Sequence, residues 1–246
     1  MIKPYIDQPG TRKEQVVQMF NAIAGRYDFL NHFLSFNIDV LWRKKLVRTI
    51  KRLAISGSKQ LHDLEILDIA TGTGDMAFEL SKIKPQTITG VDISEEMLKV
   101  ARKKAEAKGL QSISFLTGDS ESLQFPDNKF DFVTVAFGVR NYEDLPKGLS
   151  EMFRVTKAGG HLLILEFSQP EGSMSFFFTF YTRRILPLMA KLFAADPRAY
   201  QYLPDSIYAF PHGEKMKNLL LDAGFKTSEF KKLSGGIASL YISGKA

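Results

Sequence analysis

Three short stretches of the chain bring together residues able to do chemistry. In Asp68-Ile69-Ala70-Thr71-Gly72-Thr73-Gly74-Asp75, a carboxylate and two glycines follow an apolar run. Glycine at such a turn lets the backbone approach a ligand with no Cβ in the way, so the loop suits a nucleotide-like cofactor. Eighteen residues past Gly74, Val91-Asp92-Ile93 ends a second apolar run. A carboxylate there accepts hydrogen bonds from both hydroxyls of a ribose. Gly118-Asp119-Ser120 ends a third run and sets another acid where an adenine amino group would lie. Arg140-Asn141, just past a fourth run, pairs a cation that stabilises an oxyanion with an amide that orients it.

The glycine loop alone leaves two cofactors open, because Gly72-Thr73-Gly74-Asp75-Met76-Ala77 also follows the G-x-G-x-x-A pattern of NAD-binding folds. A short-chain dehydrogenase would need Tyr-x-x-x-Lys on a helix as well. The one such spacing, Tyr241 to Lys245, falls in a strand-like run, where four residues span ~13 Å and the two groups cannot cooperate. The succession of acids at strand ends resembles the class I methyltransferases, whose first motif D-x-[GA]-x-G-x-G is met by Asp68, Ala70, Gly72 and Gly74. That resemblance implies S-adenosyl-L-methionine as the cofactor. With no cysteine in the chain, thiol nucleophiles, disulfides and thiolate metal sites are excluded. His32, His62, His161 and His212 show no ligand spacing, so no metal is expected.

Short apolar runs separated by helical segments must position these residues. The runs are Leu64 to Ile69, Thr87 to Val91, Ile113 to Leu116, Phe130 to Ala136 and His161 to Phe167, the alternation of βαβ units and a parallel sheet. Between them, Ser94 to Lys108 has an N-cap serine, acids in its first turn, bases late and Gly109 beyond its end, which makes it a helix. A helix near Gly213 to Asp222 precedes two further runs, Phe225 to Leu233 and Ile237 to Ser243, and Ser234-Gly235-Gly236 between them predicts an antiparallel hairpin at the sheet edge. The expected fold is α/β and Rossmann-like, a mostly parallel seven-stranded sheet with helices on both faces. Residues 56–246 form its domain, with a helical insertion at about 170–212.

Residues 1–55 read as a helical appendage. Thr11-Arg12-Lys13-Glu14 has capping-box spacing, and Val16, Met19, Phe20, Ile23 and Tyr27 predict one amphipathic helix. A second, from Ile38 to Ala54, sets Ile38, Leu41, Trp42, Leu46, Ile50 and Leu53 against Arg43, Lys44, Arg48, Lys51 and Arg52. The appendage holds ten Lys or Arg against four Asp or Glu, while the remaining residues balance at 23 of each sign. Such a segment suits an anionic partner, a phospholipid surface or a nucleic acid, and equally a solvated helix face. The aromatic stretch Phe176-Phe177-Phe178-Thr179-Phe180-Tyr181, continuing through Ile185, Leu186 and Leu188, is broken by Arg183, Arg184 and Pro187 and falls short of the ~20 residues of a membrane span. It reads as a greasy cover over a ligand, or as a homodimer interface. Met1 to Asp7 has neither an apolar leader nor presequence character, so a bacterial cytoplasmic location is expected.

A more specific resemblance lies outside the cofactor loop. Phe20-Asn21-Ala22-Ile23-Ala24-Gly25-Arg26-Tyr27-Asp28 with Asn31, Ser35 and Trp42 is similar to the N-terminal signature of the ubiquinone and menaquinone biosynthesis C-methyltransferases. So are Ala136-Phe137-Gly138-Val139-Arg140-Asn141, Leu165-Glu166-Phe167-Ser168 with Pro170, Tyr202-Leu203 with Ser206-Ile207, and Gly235-Gly236-Ile237-Ala238. The resemblance implies methylation of a ring carbon of a polyprenylated quinol, with cofactor contacts at Thr73, Asp92, Ile93, Asp119, Ser120 and the position of Ala136. The sequence departs from the pattern at Thr71, where glycine is usual, at Ala158, within the usual Lys-Pro-Gly-Gly, and at Ala136, where serine is common. Arg140 and Asn141, with Tyr27, are the expected catalytic residues; were Arg140 and Asn141 structural, the acid-base group would be Tyr27 or His212, though His212 reads first as a loop cap. A base-methylating enzyme would interleave aromatic and basic residues near the fourth strand or carry an RNA-binding module; neither is present, so no nucleic-acid partner is expected.

Overall fold

The computed structural model describes residues 2–185 and 197–246. Five parallel strands come first: β1 (Glu65–Ile69), β2 (Thr87–Asp92), β3 (Ile113–Thr117), β4 (Phe130–Ala136) and β5 (Thr156–Phe167). Then β6 (Thr227–Leu233) and β7 (Ala238–Gly244) form an antiparallel hairpin, with β7 inserted beside β5 and β6 at the edge. The sheet order is β3-β2-β1-β4-β5-β7-β6. Order reverses between β1 and β4, the switch point at which open α/β sheets leave a crevice beyond their strand ends.

Both faces of the sheet are covered, because successive residues of the central strands are apolar on each side. Ile66, Ile88, Phe132 and Leu163 pack under α3 (Ile38–Ser56), α4 (Asp75–Ser81) and α5 (Glu95–Ala107). Leu67, Val133, Leu162 and Ile164 pack under α6 (Leu145–Val155) and α9 (Glu214–Asp222). The predicted cap of α5 forms, with Ser94 Oγ accepting from the Met97 amide. Strand β5 begins five residues earlier than its apolar run, at Thr156.

The appendage differs from its expected form in two ways. The capping box at Thr11 is present, but α1 (Arg12–Ile23) stops short of Tyr27. A 3₁₀ turn over Ala24–Arg26, with glycine at its centre, redirects the chain into α2 (Tyr27–Leu34). In α3, Trp42, Leu46 and Ile50 are buried and Lys44, Arg48, Lys51 and Arg52 are exposed as expected, yet Leu41 is exposed and Arg43 is buried. The polar stripe of α3 therefore loses one of its cations to the interior. The insertion supplies α7 (Ser173–Phe180), a π-helical turn at Tyr181–Ile185, and α8 (Pro197–Ala209). The continuation through Leu186, Pro187 and Leu188 lies outside the described residues. No helix among the described residues is long and apolar enough to cross a membrane.

Candidate active site

The end of β1 turns sharply. Ala70, Gly72 and Gly74 all take positive φ, and the Asp68 carboxylate beneath them accepts from the Thr71 and Thr134 hydroxyls at 2.6 and 2.8 Å. Burial pushes the Asp68 carboxyl up to about 6 against those two hydroxyls. Asp68 thus braces the loop from below and does not line the space above it. Gly138, beyond β4, is a second required glycine, since a Cβ there would meet the Ala70 Cβ at 2.4 Å.

Asp92 ends β2 with one carboxylate oxygen accepting the Gly72 amide and the other the Ser94 amide, both at 2.8 Å. Burial raises its pKa, while the amides of Ser94, Gly72 and Ile93 oppose the shift. Together with Gly72, Ile93, Gly118, Asp119, Ser120 and Ala136 it lines a recess of about 80 Å³. The walls suit the two ends of an adenosyl group, with acids at the ribose and adenine positions and an open space over Gly72, where an added Cβ would touch nothing. Thr73 and Gly74 stay outside; the Thr73 hydroxyl is bonded to Asp28.

Helix α1 roofs the recess. Lys13 Nζ lies 2.8 Å from Asp119 Oδ2 and 2.7 Å from Glu121 Oε2, Arg12 donates to the carbonyls of Arg140 and Tyr142, and Ser94 Oγ donates to Asn21. Burial would raise the Asp119 carboxyl, but Lys13 and the Glu121 amide hold it below the usual range. Spacing in the sequence gives no sign of Lys13 or Glu121, since their contacts join residues more than a hundred positions apart.

Beside the recess lies a cavity of about 240 Å³ with aromatic and aliphatic walls from α1, α2, the start of α3, the ends of β4 and β5, α7 and α8. Phe20, Tyr27, Phe137 and Asn141 border both spaces. Arg140 is buried, its Nη1 donating to Glu166 at 2.9 Å and to the Phe137 carbonyl, its guanidinium 5.5 Å from the Phe167 ring centre. The Arg140 Nε and Asn141 Oδ1 are buried with no hydrogen-bond partner among the described residues. A buried polar atom without a partner is costly, so both are poised for a ligand.

Burial pushes the Tyr27 phenol up, and the charges of Arg140 and Arg43 and a hydrogen bond with Asn31 only partly offset it. Its hydroxyl hydrogen-bonds with Asn31 where the two spaces meet. His212, read from the sequence as a loop cap rather than a site residue, lines a separate recess with Ser168, Gln169 and Tyr208. His161 stacks on Phe132 at 5.8 Å, a packing role. Asp39, which the sequence did not single out, and Arg43, which it set on the polar face of α3, line the cavity as a buried pair. Their i, i+4 spacing was the available signal.

This sheet order, with an acid-lined recess at its switch point, defines a class I S-adenosylmethionine-dependent methyltransferase. The fold is shared with a SAM-dependent methyltransferase from Thermotoga maritima, at a TM-score of 0.65 and 21% identity, over 93% of this chain and 99% of that one. A demethylmenaquinone methyltransferase from Bacteroides fragilis is 48% identical over 99% of this chain and 97% of its own length. A ubiquinone/menaquinone biosynthesis C-methyltransferase from Geotalea uraniireducens is 42% identical over 94% and 97%. Residues 9–245 match the ubiE/COQ5 methyltransferase family, and the chain belongs to that family.

Proposed function

We propose that the protein transfers a methyl group from S-adenosyl-L-methionine to a ring carbon of a polyprenylated quinol, demethylmenaquinol in the first place. The observation that carries the proposal is Asn141, whose unpartnered Oδ1 sits on the boundary between an acid-lined recess and an apolar cavity. The naphthoquinol reading is supported by the name of the Bacteroides fragilis relative; a methoxybenzoquinol of ubiquinone biosynthesis is the alternative that the Geotalea relative's name supports.

When bound, the cofactor supplies an electrophilic methyl. Asp92, Ile93, Asp119, Ser120 and Ala136 would hold it, with Gly72 giving backbone room and Asp68, Thr73 and Gly74 shaping the loop around it. The quinol needs one hydroxyl to lose its proton, so that charge reaches the ortho carbon. Arg140 stabilises that oxyanion from a dry, preorganised position and Asn141 orients it. Tyr27 hydrogen-bonds at the boundary. Once the new carbon–carbon bond has formed, the same ring carbon loses its proton, the ring oxygen regains one, and the ring is again an aromatic quinol. Release of the spent cofactor and of one proton balances the reaction.

The isoprenoid tail would leave past Phe178 and Tyr181, which line the cavity, towards Phe176, Phe177 and Phe180, which are exposed. Exposed aromatics of this kind and the basic stripe of α3 favour peripheral contact with an anionic membrane. The test is product analysis with labelled S-adenosyl-L-methionine and reduced demethylmenaquinone, beside quinone profiles of a deletion strain. Label on the ring carbon and accumulated demethylmenaquinone are expected; label on a ring oxygen, or an unchanged quinone profile, would sink the proposal.

A further inference from the structure

Catalysis as described uses one polar corner of the cavity, at Arg140 and Asn141. A second corner exists and has no role in it. Arg43 and Asp39 both line the cavity, and both are buried, at 8% and 3% exposure. Asp39 accepts from Arg43 Nη1 and, at 2.6 Å, from the Ser35 hydroxyl, and its other neighbour is His32 Nδ1 at 2.9 Å. The remaining guanidinium nitrogens make no other hydrogen bond among the described residues; Nη2 lies 3.9 Å from Asp75. Burial would raise the Asp39 carboxyl, yet Arg43 and Ser35 hold it below the usual range, so it stays ionised in a largely apolar setting. A buried ion pair at a cavity wall is expensive where an apolar pair would pack as well.

The two corners flank one pair of rings. Arg43 lies 5.6 Å from the Phe137 ring centre, Arg140 lies 5.5 Å from the Phe167 ring centre, and the rings are 4.7 Å apart. Both cations also bear on the Tyr27 phenol. Their chemistry differs. At Arg140 the counter-ion Glu166 is fully buried and does not line the cavity, so the corner presents the guanidinium and the neutral amide of Asn141 with no carboxylate. At Arg43 the carboxylate lines the cavity beside the cation, so the corner offers a donor and an acceptor together. An oxyanion is complementary to the first, and a neutral hydroxyl, itself donor and acceptor, to the second.

We infer that Asp39 and Arg43 hold the para hydroxyl of the quinol, opposite the oxygen that ionises at Arg140 and Asn141. The inference rests on the quinol reading given above and adds to it: the two poles fix which oxygen ionises, and hence which ring carbon is ortho to it and receives the methyl. They also make the reduced ring the preferred ligand, since a quinone carbonyl cannot donate to Asp39.

Trp42, the only tryptophan of the chain, lines the same cavity, so its fluorescence reads ligand binding without turnover. The probes are a short methylated naphthalene diol and the matching mono-ol lacking the para hydroxyl, both under reducing conditions. The parent should bind the diol on the order of 10- to 100-fold more tightly, the range for one hydrogen bond to a charged group. In Arg43→Met and Asp39→Asn that ratio should fall towards one, with mono-ol and cofactor affinities kept; Arg43→Lys should fall between. A parent that binds both probes equally, or variants that keep the parent's ratio, would overturn the second pole and leave the quinol reading standing. A parent that binds neither would overturn both. Because the parent's own ratio decides, the test survives a variant that does not fold.

Discussion

The cofactor recess and the apolar cavity share four residues and are built in opposite ways. The recess is made of strand ends: its acids come at the C-termini of successive strands, and backbone amides of the turns set their positions. The cavity is made of side chains from segments as distant as α1 and α8, held by packing and by buried ion pairs. A site made by turns repeats wherever the fold repeats, whereas one made by packing belongs to a single substrate. The Thermotoga maritima protein shares the fold at 21% identity, while the Bacteroides fragilis relative is 48% identical along the whole chain.

Arg140→Ala should test the cavity side hardest. Removing one preorganised oxyanion stabiliser costs ~2.7 to 4 kcal/mol, two to three orders of magnitude in single-turnover rate at saturating cofactor. It also leaves Glu166 buried and unpaired, a further loss of ~3 to 5 kcal/mol of stability. Adding Glu166→Gln should restore the melting temperature and not the rate. Recovery of both would mean that Arg140 acts only through the fold.

On the recess side, Asp68 gives a pH signature. Its folded carboxyl titrates at about 6, above the ordinary 3.8, so the folded chain keeps a proton that the unfolded chain has already lost. Stability should therefore fall as pH rises through that window, by on the order of 3 kcal/mol for a shift of roughly two units. Asp68→Asn should flatten the fall, as measured by denaturant unfolding at about pH 4 and about pH 8. An unchanged slope would assign the proton elsewhere.

Asp92→Ala should weaken cofactor binding by ~1.5 to 3 kcal/mol in calorimetric titration while sparing binding of the naphthalene diol. A loss of both affinities would show the two spaces to be one cooperative unit. The smallest effect belongs to the surface. Lys44→Gln, Arg48→Gln or Lys51→Gln should each cost about 1 kcal/mol in association with anionic vesicles and leave methylation of a short-tailed quinol unchanged. Equal vesicle binding would return the basic stripe of α3 to a solvated face.

Legibility in the sequence follows the same division. The strands, the hairpin, the α5 cap and the acids at Asp92 and Asp119 are encoded locally, by period, caps and turn residues within a few positions. Taken alone, the amphipathic pattern of α3 sets Arg43 outward; only its packing shows Arg43 drawn inside by Asp39. The break between α1 and α2 was missed because Gly25 interrupts an apolar spacing that otherwise continues. Lys13 and Glu121 had no local signal at all, and Asp68, legible as part of a motif, proved to brace the loop from beneath.

The ion pairs of Lys13 with Asp119 and Glu121 tie α1 to the wall of the recess. Were fresh and spent cofactor to pass beneath α1, each passage would part a half-open pair with Asp119 and a second pair whose carboxylate, Glu121, is buried. The half-open pair is weak and screened by salt, the buried one less so. Exchange should quicken as ionic strength rises, so turnover limited by release would climb with salt until cofactor affinity fails. The salt at which the curve turns marks where holding the cofactor and letting it go are in balance.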